Sequence, residues 1–309
     1  MSRISEHFKP DPAAERRIEG LARQYRGEVR RTLEPLVLAY HPALAAGGQE
    51  YAKLLELSTK MMLVGHACTE IAGETFDLRR QHVAALFGCC CFLADSFLDD
   101  FGPAASREYL QRFDLLLRVG WFEIGTERER LFYIVLALLF VERNVLEPLL
   151  RQAIVRLHAA QAEDVLLRLE PARVAELAEP GRREVLRRCA ANRSGHAIVV
   201  LTAFLVPTVS LTVLSAIFAA GSLIMFIDDH GDCYADRADG RITYMNRLAR
   251  PERALGRIFA RYMERILRLA PSGEGRALMQ SFLTRYYLTR VDKHRRQRCI
   301  RGRAWDVYE

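Results

Sequence analysis

Lysine is almost missing from this chain of 309 residues, which contains only Lys9, Lys53, Lys60 and Lys293. The formal net charge of +7 therefore comes almost entirely from arginine, dispersed among acidic residues over most of the chain. A basic cluster stands out only from Lys293 to Arg303. Because no aromatic pattern and no recognised nucleic-acid module accompany this cluster, we expect no nucleic-acid partner, whereas its charge would permit a peripheral contact with an anionic membrane.

Other common functional signals are missing too. The seven cysteines form no zinc-finger spacing with histidine, and there is no glycine-rich phosphate loop. The N-terminal residues MSRISEHFKPDP lack the apolar stretch of a signal peptide. We therefore expect a cytoplasmic protein with reduced thiols, in which Cys89, Cys90 and Cys91 are small core residues on an apolar helix.

The apolar pattern predicts an all-α fold. Alternating β-branched runs are scarce, while apolar residues recur at helical spacing in residues 51–64, 81–98, 131–150, 208–227 and 276–290. With 50% hydrophobic residues the chain can bury a large core. We predict a loosely held arm over residues 1–15, a single helical domain over 16–293 and a basic tail over 294–309.

The longest uncharged stretch runs from Ala197 to Ile227 and raises the alternative of a membrane span. Pro207 divides it, and the second part ends directly in Asp228 and Asp229. The interpretation we favour is two buried helices, each packing one side on the core and lining a cavity with the other.

Two clusters of aspartate follow apolar segments. The first contains Asp95, Asp99 and Asp100, and the second contains Asp228, Asp229, Asp232 and Asp236. Because an α-helix advances about 100° per residue, aspartates four apart share one face. Such columns of carboxylate oxygens suit Mg²⁺, which takes one or two carboxylates and completes its octahedron with water and phosphate oxygens. The alternative is a pair of solvated acidic helix ends.

Both clusters lie near predicted helix ends, before Gly102-Pro103 and before Gly240. Aspartates at a helix C-terminus oppose the helix dipole, which favours a bound cation as part of the arrangement. His230 could be a neighbour of that metal, but an exposed histidine on the helix surface is the interpretation we favour.

These motifs resemble those of class I isoprenoid enzymes. Asp95-x-x-x-Asp99 is similar to their first motif, and Asp228-x-x-x-Asp232-x-x-x-Asp236-x-x-x-Gly240 to the second motif of the squalene/phytoene synthase superfamily. The chain most resembles the large-terpene (class IB) synthases typified by tetraprenyl-β-curcumene synthase. Three further stretches support this likeness, which runs from about residue 57 to 293: Ala72-Gly73-Glu74, Cys189 to Gly195, and Phe282 to Lys293.

The resemblance implies an isoprenoid-synthase-type bundle around a central apolar cavity, in which two or three Mg²⁺ ions help to ionise a polyprenyl diphosphate. The metal ligands it implies are Asp95, Asp99, Asp228, Asp232 and Asp236, of which Asp95, Asp99, Asp232 and Asp236 are the catalytic candidates. By position or resemblance the candidate diphosphate ligands are Arg193, Arg241, Arg285 and Lys293. Aromatic rings stabilise nearby cations, so the expected cavity aromatics near the motifs are Phe92, Phe97, Phe226 and Tyr234.

Three functions remain open at this point. The first is a terpene synthase (cyclase), a lyase acting on one prenyl diphosphate. The second is a head-to-head synthase of the squalene/phytoene type or another prenyltransferase, and the third is a non-catalytic helical protein that binds a prenyl lipid. The sequence leaves the oligomeric state open, a homodimer included.

Overall fold

Eleven α-helices and one 3₁₀ turn make up the computed structural model, which describes residues 12–46, 48–99, 102–121, 123–169 and 176–301. Side chains are described throughout these ranges except at 98, 99, 102, 103, 168, 169 and 299–301. The helices are α1 (Pro12–Tyr40), α2 (Pro42–Ala46), α3 (Gln49–Ile71), α4 (Leu78–Asp99), α5 (Gly102–Val119), α6 (Glu127–Glu142), α7 (Pro148–Leu169), α8 (Glu179–Leu205), α9 (Leu211–Ala238), α10 (Pro251–Leu269) and α11 (Glu274–Arg301), with the 3₁₀ turn at Met245–Arg247. These ranges contain no strand, so the all-α prediction is confirmed.

Seven of the helices form a closed ring. Going round it, α3 packs on α4, α4 on α5, α5 on α7, α7 on α8, α8 on α9, α9 on α11, and α11 returns to α3. The other long helices pack outside this ring: α1 against α3 and α4, α6 against α4, and α10 against α9. Such a ring leaves room at its centre, where the inward faces of its helices meet.

Helix α9 is the apolar centre of the bundle. The Ser210 side chain caps its first turn by accepting a hydrogen bond from the Val213 N–H at 3.3 Å. Its last turn closes through Gly240, whose positive φ of 70° lets the Arg241 N–H donate to the Asp236 carbonyl at 2.7 Å, which confirms the predicted stop. A Cβ on Gly221 would lie 2.5 Å from the Ser194 carbonyl oxygen, so glycine allows α8 and α9 to approach this closely.

Length and composition would also let α9 cross a bilayer, and within the described ranges it alone passes that test. However, 56% of its most apolar window is buried against other helices. Phe226 and Leu223 are fully buried, while Ile224 and Met225 line a cavity. The favoured interpretation, a buried helix with one side on the core and the other on a cavity, agrees with this packing.

Three predicted boundaries differ from the structure. The apolar window 131–150 is interrupted, because α6 ends at Glu142 and Arg143 takes an extended conformation before α7 begins at Pro148. The first helix already begins at Pro12, inside the predicted arm. The last helix continues to Arg301 and buries His294, within the predicted tail, to 6% exposure. The remainder of the predicted arm and tail lies outside the described residues.

Candidate active site: a carboxylate-rimmed apolar cavity

The ring of helices encloses a cavity of about 340 Å³. Every helix of the ring contributes to its wall, and α6 adds Phe132 from outside. The wall is mostly apolar and rich in aromatic side chains, namely Phe87, Tyr109, Phe113, Phe132, Phe282 and Tyr286. An apolar wall of this kind shields from water the part of a ligand that it covers.

One carboxylate from each aspartate cluster faces this cavity. Asp95 on α4 and Asp228 on α9 both line it, although they are far apart in sequence. Because α9 stays helical to Ala238, Asp232 and Asp236 follow Asp228 at one-turn intervals, as the spacing predicted. The fold therefore brings the two clusters to the same cavity.

Cations from α11 neutralise the second cluster. The Arg290 guanidinium pairs with Asp228 and lies 3.7 Å from the Asp232 carboxylate, with which Lys293 also pairs. The Tyr286 hydroxyl donates a 2.5 Å hydrogen bond to Asp228 Oδ1. Burial works against the charged form of Arg290, but the carboxylates of Asp228 and Asp232, together with Tyr286, outweigh it and raise the pKa of that guanidinium.

Two more cations stand around the same cavity. Lys60 on α3 lines it, pairs with Glu56 at 2.7 Å and lies 5.4 Å from the Tyr286 ring centre. Arg193 on α8 also lines the cavity and pairs with Asp164 at 3.2 Å. Burial raises the pKa of neighbouring Asp229 well above its usual range, and the Arg193 charge partly opposes that rise.

The predicted diphosphate ligands divide into two pairs. Arg193 lines the cavity, and Lys293 pairs with Asp232 of the second cluster. Arg285 points away and pairs with Glu19 on α1 at 3.0 Å, and Arg241 lies 4.0 Å from Asp239 beyond the end of α9, outside the cavity lining. Three polar residues that sequence reasoning missed also line the cavity: Lys60, Arg290 and Tyr286. The available signal was the i, i+4 spacing of Phe282, Tyr286 and Arg290 on one face of α11.

None of the four predicted cavity aromatics is among the residues that line this cavity. Phe97 lies one layer behind it, stacked on Tyr109 at 4.9 Å. Phe226 is fully buried on the side of α9 that packs against α10, with its ring centre 5.7 Å from that of Tyr262. Tyr234 packs on His294, and Phe92 is a partly buried core residue. Nearness in sequence to an aspartate motif did not indicate which side of the helix each ring occupies.

The donor set fits a magnesium site assembled together with a substrate. Within the ranges where side chains are described, no three His, Cys, Asp or Glu residues come together as a preformed site for a metal ion. The side chain of Asp99 and the whole of Asp100 lie outside those ranges. Mg²⁺ needs only one or two carboxylates when phosphate oxygens and water complete its octahedron. Asp95 and Asp228, at one cavity, meet that lower requirement.

The cysteine prediction holds for one residue of three. Cys89 is fully buried, and burial raises the pKa of its thiol to about 12. Cys90 and Cys91 instead line the cavity, where burial again raises the thiol pKa. All three are small apolar wall or core residues with suppressed thiolate character.

His230, expected on the helix surface, is completely buried. Its ring stacks on His294 with centres 4.1 Å apart, and neither ring nitrogen has a hydrogen-bond partner in the described part of the chain. Burial, reinforced by His294, lowers the pKa of His230 to about 3. The His230 side chain lies between α9 and α11, on the side of α9 that faces away from the cavity.

This burial predicts acid sensitivity. The folded-state pKa of His230 lies below the ordinary histidine value of 6.5, so the unfolded chain takes up the proton first and stability is lost as the pH falls below about 6.5. Burial lowers the pKa of His66, His158, His196 and His294 in the same direction. We expect His230 alone to cost about 2 kcal/mol by pH 5, at 1.36 kcal/mol per pKa unit.

Thermal unfolding at pH 7, 6 and 5 measures this loss. The decrease should be smaller in His230→Leu and unchanged in His82→Leu, since His82 is exposed on α4. An unfolding temperature that stays constant from pH 7 to pH 5 would contradict the prediction.

Comparisons with known proteins give no family. No protein-family model matches the chain, and neither the curated proteins nor the solved structures contain a significant match. The function has to be argued from the cavity and its rim.

Proposed function

We propose that this protein is a magnesium-dependent class I terpene synthase, which ionises one linear polyprenyl diphosphate, releases diphosphate and cyclises the chain. The observation that carries the proposal is the meeting of Asp95, Asp228, Arg193 and Arg290 at a single aromatic-lined cavity. An amphiphile with an anionic head and a prenyl tail matches such a site, since its head meets charge and its tail meets apolar wall.

Each group of residues around the cavity has a role that follows from its position. Asp95 and Asp228, with Asp232 and Asp236 further along α9, would hold magnesium, which acts as a Lewis acid on the leaving diphosphate. Arg193, Arg290 and Lys60 line the cavity with cationic groups that can bind the remaining phosphate oxygens. The aromatic rings of Phe87, Phe113, Phe132 and Phe282 keep water away from the allylic cation and stabilise it through their π faces, at about 0.5–2 kcal/mol per ring.

The cavity favours one chain over two. A head-to-head synthase has to hold two prenyl chains side by side. A volume of about 340 Å³ lies near the lower end of the range of about 300–1,000 Å³ that small-molecule sites occupy. We infer that a single chain is the substrate and that the similarity to squalene and phytoene synthases is confined to the aspartate motif.

One observation favours the alternative of a non-catalytic prenyl-binding protein. Asp228 and Asp232 already pair with Arg290 and Lys293, so their charge is balanced without metal. In an enzyme these pairs have to open when substrate binds. In a binding protein they would stay closed.

The deciding experiment incubates the purified protein with Mg²⁺ and a graded series of all-trans prenyl diphosphates, from geranyl upward. Products are analysed by mass spectrometry while free diphosphate is measured in parallel, with EDTA as the control. We expect diphosphate release and a cyclic product from one substrate, both abolished by EDTA. Condensation of two chains would indicate a head-to-head synthase. Tight binding without diphosphate release would contradict the enzyme proposal and leave the binding protein.

A further inference from the structure

Most of the net positive charge of this protein sits in one short segment. Between Arg247 and Arg268 the chain has seven arginines and only two glutamates, a formal charge of +5 out of +7 for all 309 residues. One of those glutamates, Glu252, pairs with Arg295 of α11 at 3.2 Å. Five of the seven arginines lie on helix α10, at positions 253, 257, 261, 265 and 268.

The arginines of α10 form a column on its outer face. Arg253, Arg257, Arg261 and Arg265 follow one another at intervals of four, and all are exposed, as is Arg268. The opposite face buries Leu255, Phe259, Met263 and Ile266 against the bundle. We name the five exposed arginines from 253 to 268 the arginine face. It extends about 22 Å along the helix, at 1.5 Å per residue.

In the part of the chain that the structure describes, none of the five guanidinium groups of the arginine face forms an ion pair with a carboxylate. By contrast, neighbouring Arg187 of α8 pairs with Glu184 at 2.6 Å. Unpaired cations in a row repel each other, so the row favours an anionic partner outside the chain.

A recess of about 270 Å³ lies beside this column. Its lining combines Arg187 from α8 with Arg261, Tyr262, Glu264, Arg265 and Arg268 from α10. Four guanidinium groups around one recess can hold a phosphate group through bidentate contacts, and Glu264 is the single carboxylate there.

We propose that the arginine face binds the surface of an anionic phospholipid bilayer. A bilayer is a plane of phosphates, which can meet the whole column at once while α10 lies flat on it. No large hydrophobic side chain of α10 is exposed, so the contact is electrostatic adsorption without insertion. Tyr262, the aromatic residue of the recess, is only 8% exposed, so the arginine face presents no open ring on which a base could stack.

Helix α10 begins beside α11, one of the helices that line the cavity proposed to take an amphiphile. The pair between Glu252 and Arg295 holds the beginning of α10 against α11, five residues beyond Arg290 of the cavity wall. Five residues of helix correspond to about 7.5 Å. Measured along the axis of α11, the beginning of α10 is therefore little more than one turn beyond the level of Arg290. The inference itself does not depend on the proposed reaction, because it is tested by binding alone.

The test measures cosedimentation of the full chain with vesicles of phosphatidylcholine, alone or mixed with phosphatidylserine, at low and high salt. The variant is the triple Arg257→Glu, Arg261→Glu and Arg265→Glu. Its matched control is Arg23→Glu, Arg26→Glu and Arg30→Glu on the exposed side of α1, which lowers the formal charge from +7 to +1 just as the first triple does. A triple Arg→Gln variant on α10 and circular dichroism guard against misfolding.

We expect binding only to the phosphatidylserine vesicles, weakened by salt. Each arginine near an anionic surface strengthens binding about fivefold, so the triple Arg→Gln variant, which neutralises three charges, should lower the partition coefficient about a hundredfold. The triple Arg→Glu variant reverses those charges and should lower it further, while the control triple on α1 should lower it far less. The proposal is overturned by the absence of binding to anionic vesicles at low salt, or by an equal loss in both triples. Binding to duplex DNA without binding to vesicles would also overturn it and assign the face to nucleic acid.

Discussion

Replacing Asp232 or Asp95 by alanine should lower magnesium-dependent diphosphate release at least ~100-fold, because several kcal/mol of charge stabilisation at the leaving group depend on the metal. Asp95 is exposed and Asp232 is partly exposed, and neither contributes to the hydrophobic core. Circular dichroism and the unfolding temperature should therefore stay close to those of the parent protein. The measurement is the initial rate of diphosphate release with the best substrate of the prenyl series.

A matched aspartate on the same bundle provides the control. Asp292 on α11 is exposed and pairs with Arg296 at 2.8 Å, away from the cavity lining. Asp292→Ala should retain near-parental activity. Full activity in Asp95→Ala and Asp232→Ala with unchanged circular dichroism would contradict the proposal that these two aspartates bind the metal.

The second large effect is on stability, at Gly88. A Cβ at this position would lie 2.4 Å from the Ser58 Cα and 2.9 Å from its Cβ. Backbone on one side and a buried side chain on the other leave no flexible group that could yield. Gly88→Ala should therefore push α3 away from α4 and cost about 2–3 kcal/mol or more, as overpacked cores do. Chemical denaturation with a shared slope measures the change in the free energy of unfolding.

Gly27→Ala is the opposite case and serves as its control. Gly27 lies inside α1, and a Cβ there would meet nothing within 4 Å. Alanine removes the entropy cost of a helical glycine, so we expect a gain of about 0.5–1 kcal/mol. Equal changes in the free energy of unfolding for Gly88→Ala and Gly27→Ala would contradict the close approach of α3 to α4.

Helices α3 and α4 both line the cavity, so Gly88→Ala should also reduce substrate binding.

Features set by local chain geometry could be predicted. The helical periodicity of α9 and the Gly240 stop placed Asp228, Asp232 and Asp236 on successive turns before any tertiary contact was considered. The all-α fold followed from the same periodicity. In each case the determining interactions lie within a few residues along the chain.

Features set by packing could not be predicted in this way. Lys60 and Arg290 reach the cavity because α3 and α11 close the ring beside α9. Arg285, only five residues from Arg290, points instead to Glu19 on α1. In a chain this rich in arginine, sequence alone gave no reason to prefer one arginine over another.

The aromatic residues and His230 show the same limit. Phe226 and Tyr234 lie beside the second cluster in sequence, yet they face α10 and α11, while the cavity wall is supplied by Phe87, Phe113 and Phe282 from distant segments. His230 is flanked by charged residues, which favoured an exposed position, but α11 covers it completely. Charge near a residue does not determine which neighbouring helix will pack over it.

By itself, then, the sequence determined that this chain is helical, that α9 stops at Gly240 and which aspartates share a helix face, because hydrogen bonding and side-chain direction repeat along each helix. The tertiary structure decided which wall of which helix faces the cavity, which cations balance the carboxylates and that α10 turns its arginines outward. Those choices depend on contacts between segments far apart in the chain, whose energies are settled only when the seven-helix ring closes.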